Sequence, residues 1–225
     1  MKNKNSISIS ILDIEDDKLE VFLINLRNIV DKNKYNNVII HFDVMDGVFV
    51  KNLGISLDKI ALVKKYNFFV DVHLMVAEPE EYIEKAFKLG ANIITVHCEI
   101  RDIDDIMYKL YSLKNIENSK DFFIGLAISP DSDISKIYKY NNIVDMCLVM
   151  SVYPGLGNQQ FLDSTYDKIK NIRHDFDIIE IDGGVNESNI IKLKEMGINS
   201  FVLGSYFTKH LDELEKRLKI INKII

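Results

Sequence analysis

The chain of 225 residues suits one large α/β domain better than two, and its 47% hydrophobic content can fill a sizeable core. Its 28 Lys+Arg against 34 Asp+Glu give a formal charge of −6 and a pI of about 5.4, a balance that argues against nucleic-acid binding. The same balance leaves room for a small anionic ligand, because a few backbone N–H groups hold a phosphate even in an acidic protein.

In chain order, short β-branched runs alternate with longer stretches of helical period. The strand-like runs are Ile7–Leu12, Val38–Asp43, Phe68–Leu74, Ile93–His97, Phe122–Ile128, Val144–Met150, Ile178–Ile181 and Ser200–Leu203. Helical period fills Asp17–Val30, Glu80–Leu89, Ile103–Leu113, Thr165–Ile172 and Ser188–Met196. Glu78-Pro79, Asp131-Ser132 and Asn186 read as helix starts, and Gly90 and Gly197 as the turns back to a strand. The first run is broken by serines and followed by Asp13, Glu15, Asp16 and Asp17, which fits neither a signal peptide nor a membrane span. Cys98 and Cys147 each stand alone in an apolar stretch and read as small buried hydrophobes, in keeping with a reducing, cytoplasmic setting.

Eight β–α units of about 28 residues match a single (β/α)8 (TIM) barrel spanning residues 1–225, near the lower size limit of that fold. An open doubly wound sheet fits less well, because Ile11-Leu12-Asp13-Ile14-Glu15 cannot form the glycine-rich turn that binds a dinucleotide. Function is then expected where the strands end.

The second run ends His41-Phe42-Asp43-Val44-Met45-Asp46-Gly47, and residues two apart in a strand share a face, so His41, Asp43 and Met45 point together. The third ends with His73 and Met75 in the same alternation, and the seventh with Asp182. A single His-x-Asp is as often a buried hydrogen-bonded pair as a ligand pair. Two His and two Asp from three strand ends are a much rarer coincidence. Imidazole and carboxylate together suit one divalent Zn, Fe, Mn or Co ion better than Ca or Mg.

Glycines follow the sixth, seventh and eighth runs: Gly155-Leu156-Gly157-Asn158, Gly183-Gly184 and Gly204-Ser205. Loops after the last strands are the usual phosphate site of this fold. Met150 reads as core filler before it reads as a site residue. His97 reads equally as a core histidine and as a group standing behind the site. His174 and His210 look like surface helix residues, and Asp46 reads as the side chain that closes a turn before Gly47.

These residues closely resemble the ribulose-phosphate 3-epimerase family over nearly the whole chain. The likeness is carried by Ser10-Ile11-Leu12, by the segments 41–50, 71–76 and 149–155, and by Asp182-Gly183-Gly184 and Gly204-Ser205. The resemblance implies that His41, Asp43, His73 and Asp182 bind the catalytic metal. It implies further that Asp43 removes a proton and Asp182 returns one, interconverting D-ribulose 5-phosphate and D-xylulose 5-phosphate. Ser10 would contact the substrate, a small phosphorylated ketose. Residues 155–158, 183–184 and 204–205 would hold its phosphate, with Met45, Met75 and Met150 packed near the reacting carbons. Members of the family commonly associate, so a homo-oligomer is expected.

There are departures. Ile9, Lys51 and Leu57 stand where the family usually has Pro, and Gly54 where Thr is common. Asn158 replaces the second glycine of a pair, and Leu156 an aromatic. Ser56, where pentulose enzymes often have Gly, keeps D-allulose-6-phosphate 3-epimerase open as a rival. A non-catalytic sugar-phosphate-binding barrel and a metal-dependent aldolase or synthase are the others.

Overall fold

The computed structural model describes residues 5–116, 121–172 and 176–225. Eight parallel strands close in chain order into a barrel: β1 (Ser6–Ser10), β2 (Val38–Met45), β3 (Phe69–Met75), β4 (Ile93–His97), β5 (Phe123–Ile128), β6 (Met146–Met150), β7 (Ile178–Asp182) and β8 (Ser200–Leu203). The sheet closes through β1 and β8, where Ser6 pairs with Ser200 and Ile9 with Leu203. The helices are α1 (Asp16–Asn33), α2 (Ile60–Lys65), α3 (Glu80–Lys88), α4 (Ile103–Lys114), α5 (Ser135–Tyr138), α6 (Thr165–Ile172), α7 (Ile190–Glu195), α8 (Ser205–Thr208) and α9 (Leu214–Ile224). The expected (β/α)8 barrel is therefore the fold.

Alternation along each strand divides the core in two. The outward set, including Ile7, Ile9, Ile40, Phe42, Val70, Val72 and Ile179, packs with the helices in one large apolar cluster. The inward set is layered. An apolar plug of Phe69, Ile93, Phe123, Met146 and Ile178 closes the N-terminal end of the barrel. Above it lie buried polar groups, where Ser6 Oγ donates to Ser200 Oγ and Ser200 Oγ to Glu180 Oε1, each at 2.7 Å. The third layer, at the C-terminal strand ends, carries the chemistry.

Where strand ends differ from expectation, backbone partners explain it. β1 stops at Ser10, because the Leu12 N–H turns back to Ser10 Oγ. β2 runs on to Met45, since the following loop folds against it: Gly54 N–H donates to Met45 O and Ile55 N–H to Asp43 O. A Cβ on Gly54 would lie 2.2 Å from Asp43 O, so this departure from the family pattern lets the loop press on the strand that carries His41 and Asp43. Gly90 and Gly197 do end helices, at φ +90° and +98°. The start at Asp131-Ser132 yields only the short α5, and Asn186 forms a turn with Ser188 and Asn189 before α7. His210 lies between α8 and the 3-10 turn Leu211–Glu213 instead of inside a helix, and His174 lies outside the described residues. Both cysteines are buried, and no helix among the described residues is long and apolar enough to cross a membrane.

Candidate active site

His41 and Asp43 on β2, His73 on β3 and Asp182 at the end of β7 converge. One ligand atom from each lies within 4.8 Å of all the others. Asp43 Oδ1 stands 3.4 Å from both His41 Nε2 and His73 Nδ1, and Asp182 Oδ2 is 3.7 Å from His73 Nδ1. The register produces this. Asp43 pairs with His73 across β2 and β3, while β7 reaches the same level through β8 and β1.

The two imidazoles are fully buried, and the nitrogen each turns to the centre, His41 Nε2 and His73 Nδ1, has no hydrogen-bond partner in the protein. Buried nitrogens without partners are costly unless something else satisfies them. Their opposite nitrogens are engaged: His41 Nδ1 lies 2.6 Å from Asp71 Oδ2, and His73 Nε2 lies 2.8 Å from His97 Nε2. A carboxylate behind a histidine is the usual way to fix the tautomer that ligates a metal. The donor set and its spacing thus fit a divalent cation with bonds of about 2.0–2.2 Å. His41, Asp71 and Glu180 also cluster, but His41 has already committed Nδ1 to Asp71. Burial, and next the Asp71 charge, hold the Glu180 carboxyl well above its usual range, so it serves as a buried acid.

The two central carboxylates differ in proton affinity. Burial and then the nearby Asp43 charge push Asp182 up to about 7. Burial acts the same way on Asp43, but the charge and hydrogen bonds of His41 and His73 outweigh it and hold the group far below its usual value. Burial lowers His41 too, yet Asp71 and Asp43 together raise it well above 6.5, whereas burial dominates at His73 and takes it to about 4. Ser10 Oγ donates to Asp43 Oδ2 at 2.7 Å, fixing the carboxylate from the β1 side.

An open cleft lies above the centre. It is lined by Ser10, Asp43, Met45, Met75, Met150, Gly155, Leu156, Gly157, Asn158, Asp182, Gly183, Gly184, Gly204 and Ser205, while His41 and His73 lie beneath its floor. The residues expected from the sequence to hold metal or substrate thus line the cleft or lie beneath it. Met45 and Met75 pack together on one wall, and Met150 packs with Leu148 and Val152 on another. Gly184 sits at φ +63°, where a Cβ would come within 2.5 Å of the Phe161 nitrogen. Asn158 adopts φ +60°, a conformation Asn tolerates better than other side chains, and its amide donates to Asp13 Oδ2 at 3.3 Å.

Leu12, Asp13, Val152, Tyr153, Gln159 and Val185 also line the cleft. They carry no chemical signature of their own in the sequence. Gln159 is explicable only in three dimensions, where its amide donates to the Tyr153 and Leu156 carbonyls and closes the β6 loop. Asp46 does close its turn, accepting from Val48, Phe49 and Ala77 N–H groups.

Comparison with known proteins agrees with this geometry. Residues 7–208 match the Ribulose-phosphate 3 epimerase family. The chain belongs to that family. It is 37% identical to a chloroplastic ribulose-5-phosphate-3-epimerase of Arabidopsis thaliana, over 74% of this chain and 60% of that protein. It is 35% identical to a ribulose-phosphate 3-epimerase of Buchnera aphidicola, over 80% of each chain. Among solved structures, KGPDC from Streptococcus mutans superposes with a TM-score of 0.72 at 11% identity, covering 99% of this chain and 98% of that one, a likeness of fold.

Proposed function

We propose that the protein is a metal-dependent ribulose-phosphate 3-epimerase, interconverting D-ribulose 5-phosphate and D-xylulose 5-phosphate by proton transfer at the third carbon. One observation carries this reading: two carboxylates from strands β2 and β7 meet at one centre with their proton affinities pushed apart. Inverting a carbon beside a carbonyl needs a base on one face and an acid on the other. Environments that separate the pKa values of two carboxyls assign those roles.

Asp43, held ionised, takes the proton from the third carbon. Asp182, able to carry a proton near neutrality, delivers one to the opposite face. A turnover leaves Asp43 protonated and Asp182 ionised, and exchange with solvent restores the starting state. Ser10 keeps Asp43 Oδ2 engaged, so that Oδ1 stays turned to the centre. His41, Asp43, His73 and Asp182 would hold the cation, whose charge, when it is bound, offsets the negative charge that builds on the substrate oxygens. The methionines give the reacting carbons an apolar wall. At the far end, backbone N–H groups of residues 155–158, 183–184 and 204–205 would take the phosphate, which supports a phosphorylated ketose as substrate.

Initial rates on ribulose 5-phosphate and allulose 6-phosphate test the reading. A strong preference for the pentulose, with xylulose 5-phosphate as product, is expected. A preference for the hexulose, or cleavage of a carbon–carbon bond, would overturn it.

A further inference from the structure

His73 turns Nδ1 toward the centre, so its proton must sit on Nε2 if Nδ1 is to ligate. Nε2 in turn faces Nε2 of His97 at 2.8 Å, and such a contact needs one donor and one acceptor. The choice is made one residue further out. His97 Nδ1 lies 3.0 Å from Glu99 Oε2, closer than its other neighbour, Ser129 Oγ at 3.4 Å, and Glu99 Oε1 accepts from the Ser129 backbone N–H at 2.9 Å. Burial would raise the Glu99 carboxyl, but hydrogen bonds from His97 and Ser132 bring it down to about 2, so it is ionised and only accepts. His97 therefore donates from Nδ1 and accepts at Nε2. His73 donates from Nε2 and keeps Nδ1 bare.

We propose that Glu99 is a positioning residue that, through His97, sets the tautomer of His73 and so makes Nδ1 available to a divalent cation. This rests on the metal-centre reading given above. His41 and His73 are thereby oriented by the same device at different ranges: Asp71 acts on His41 directly, and Glu99 acts on His73 through one intervening imidazole.

The surroundings hold the chain of bonds rigid. His73 and His97 are both fully buried, and their rings stack with centroids 5.0 Å apart at 27°. Phe49 covers the His97 ring at 4.9 Å. Behind Glu99, Lys168 Nζ donates to the Ser129 and Ser132 carbonyls, both at 2.7 Å, and so fixes the loop whose N–H selects the Oε1 position.

Glu99→Gln gives a directional test. The Ser129 N–H still needs an acceptor, so the amide oxygen takes the Oε1 place and the amide NH2 faces His97 Nδ1. Every bond in the chain then reverses, and His73 carries its proton on Nδ1, facing the centre. Nitrogen NMR of histidine-labelled, metal-free full-length protein reads this, with the His73 signals assigned by their loss in His73→Gln. The wild type should show His73 protonated on Nε2, and Glu99→Gln should show it on Nδ1. Competition with a chelator for Zn²⁺ or Co²⁺ should show the variant binding about 10–100-fold more weakly.

If the wild type binds neither ion at one per chain, the metal-centre reading fails and takes this proposal with it. If the wild type binds one ion and Glu99→Gln binds it equally well, or if wild-type His73 is protonated on Nδ1, the relay alone is overturned. Should the variant fail to fold, the wild-type measurement still overturns the relay if His73 carries its proton on Nδ1.

Discussion

The two sides of the cleft are built from different materials. On the β2–β3 side the site is made of side chains, buried and tied in place: Asp71 behind His41, His97 behind His73, Ser10 on Asp43. On the β6–β8 side, apart from Asp182, it is made largely of backbone, with Gly155, Gly183, Gly184 and Gly204 keeping the cleft wall free of side-chain bulk. The first arrangement suits proton transfer, which needs fixed titratable atoms. The second suits an anion, which needs close N–H groups and no side chains in the way. Changes to the titratable side chains should therefore strike the chemical step, and changes to the glycine-bearing loops should strike substrate affinity.

The largest effect is expected at Asp43. Asp43→Asn should lower kcat by about 10²–10⁴-fold, the usual worth of a general base, with KM little changed and the fold intact by circular dichroism. Unaltered turnover would remove Asp43 from the role of base.

On the opposite wall, Gly184→Ala places a Cβ against Phe161 at a positive φ and should cost about 1–3 kcal/mol of stability. Its kinetic mark should be a raised KM with kcat better preserved, and a pure kcat effect would break the division between the two sides.

A smaller, graded effect is expected from pH. The cation competes with a proton for Asp182, and without metal that group holds its proton up to about 7. Affinity for Zn²⁺, followed by isothermal titration, should therefore rise as pH climbs toward 7, with a proton released on binding. Beyond that the rise should continue, because Asp71 and Asp43 hold His41 protonated above its ordinary range. An affinity flat with pH would mean that neither group is displaced by the ion.

The smallest effect tests the backbone side alone. Asn158→Gly should be close to neutral, while Asn158→Ala, forced to φ +60°, should lose about 1 kcal/mol, measured by thermal unfolding.

The same contrast explains what could be read from the sequence. His41, Asp43, His73 and Asp182 announce themselves because their chemistry is rare at strand ends and because alternation in a strand puts His41 and Asp43 on one face. The barrel follows from the eightfold alternation of runs. Glu99 carries no comparable signal. It follows a strand as one more acid, and only the closure of β4 against β5, which brings Ser129 beside it, gives it a partner. Asp71 and Glu180 were hidden for the opposite reason, since a carboxylate in the middle of a buried strand gains its meaning from neighbours on other strands. Gly54 could be marked only as a departure, until the close approach of its loop to Asp43 accounted for it.

The central claim is that Asp43 and Asp182 exchange a proton at the substrate's third carbon on opposite faces. It is tested most directly by incubating the metal-loaded protein with ribulose 5-phosphate in deuterium oxide and locating the label. Deuterium at the third carbon of both pentulose phosphates, with the carbon skeleton intact and exchange lost in Asp43→Asn, is the predicted result. Epimerisation without label, or label that persists in Asp43→Asn, would contradict it.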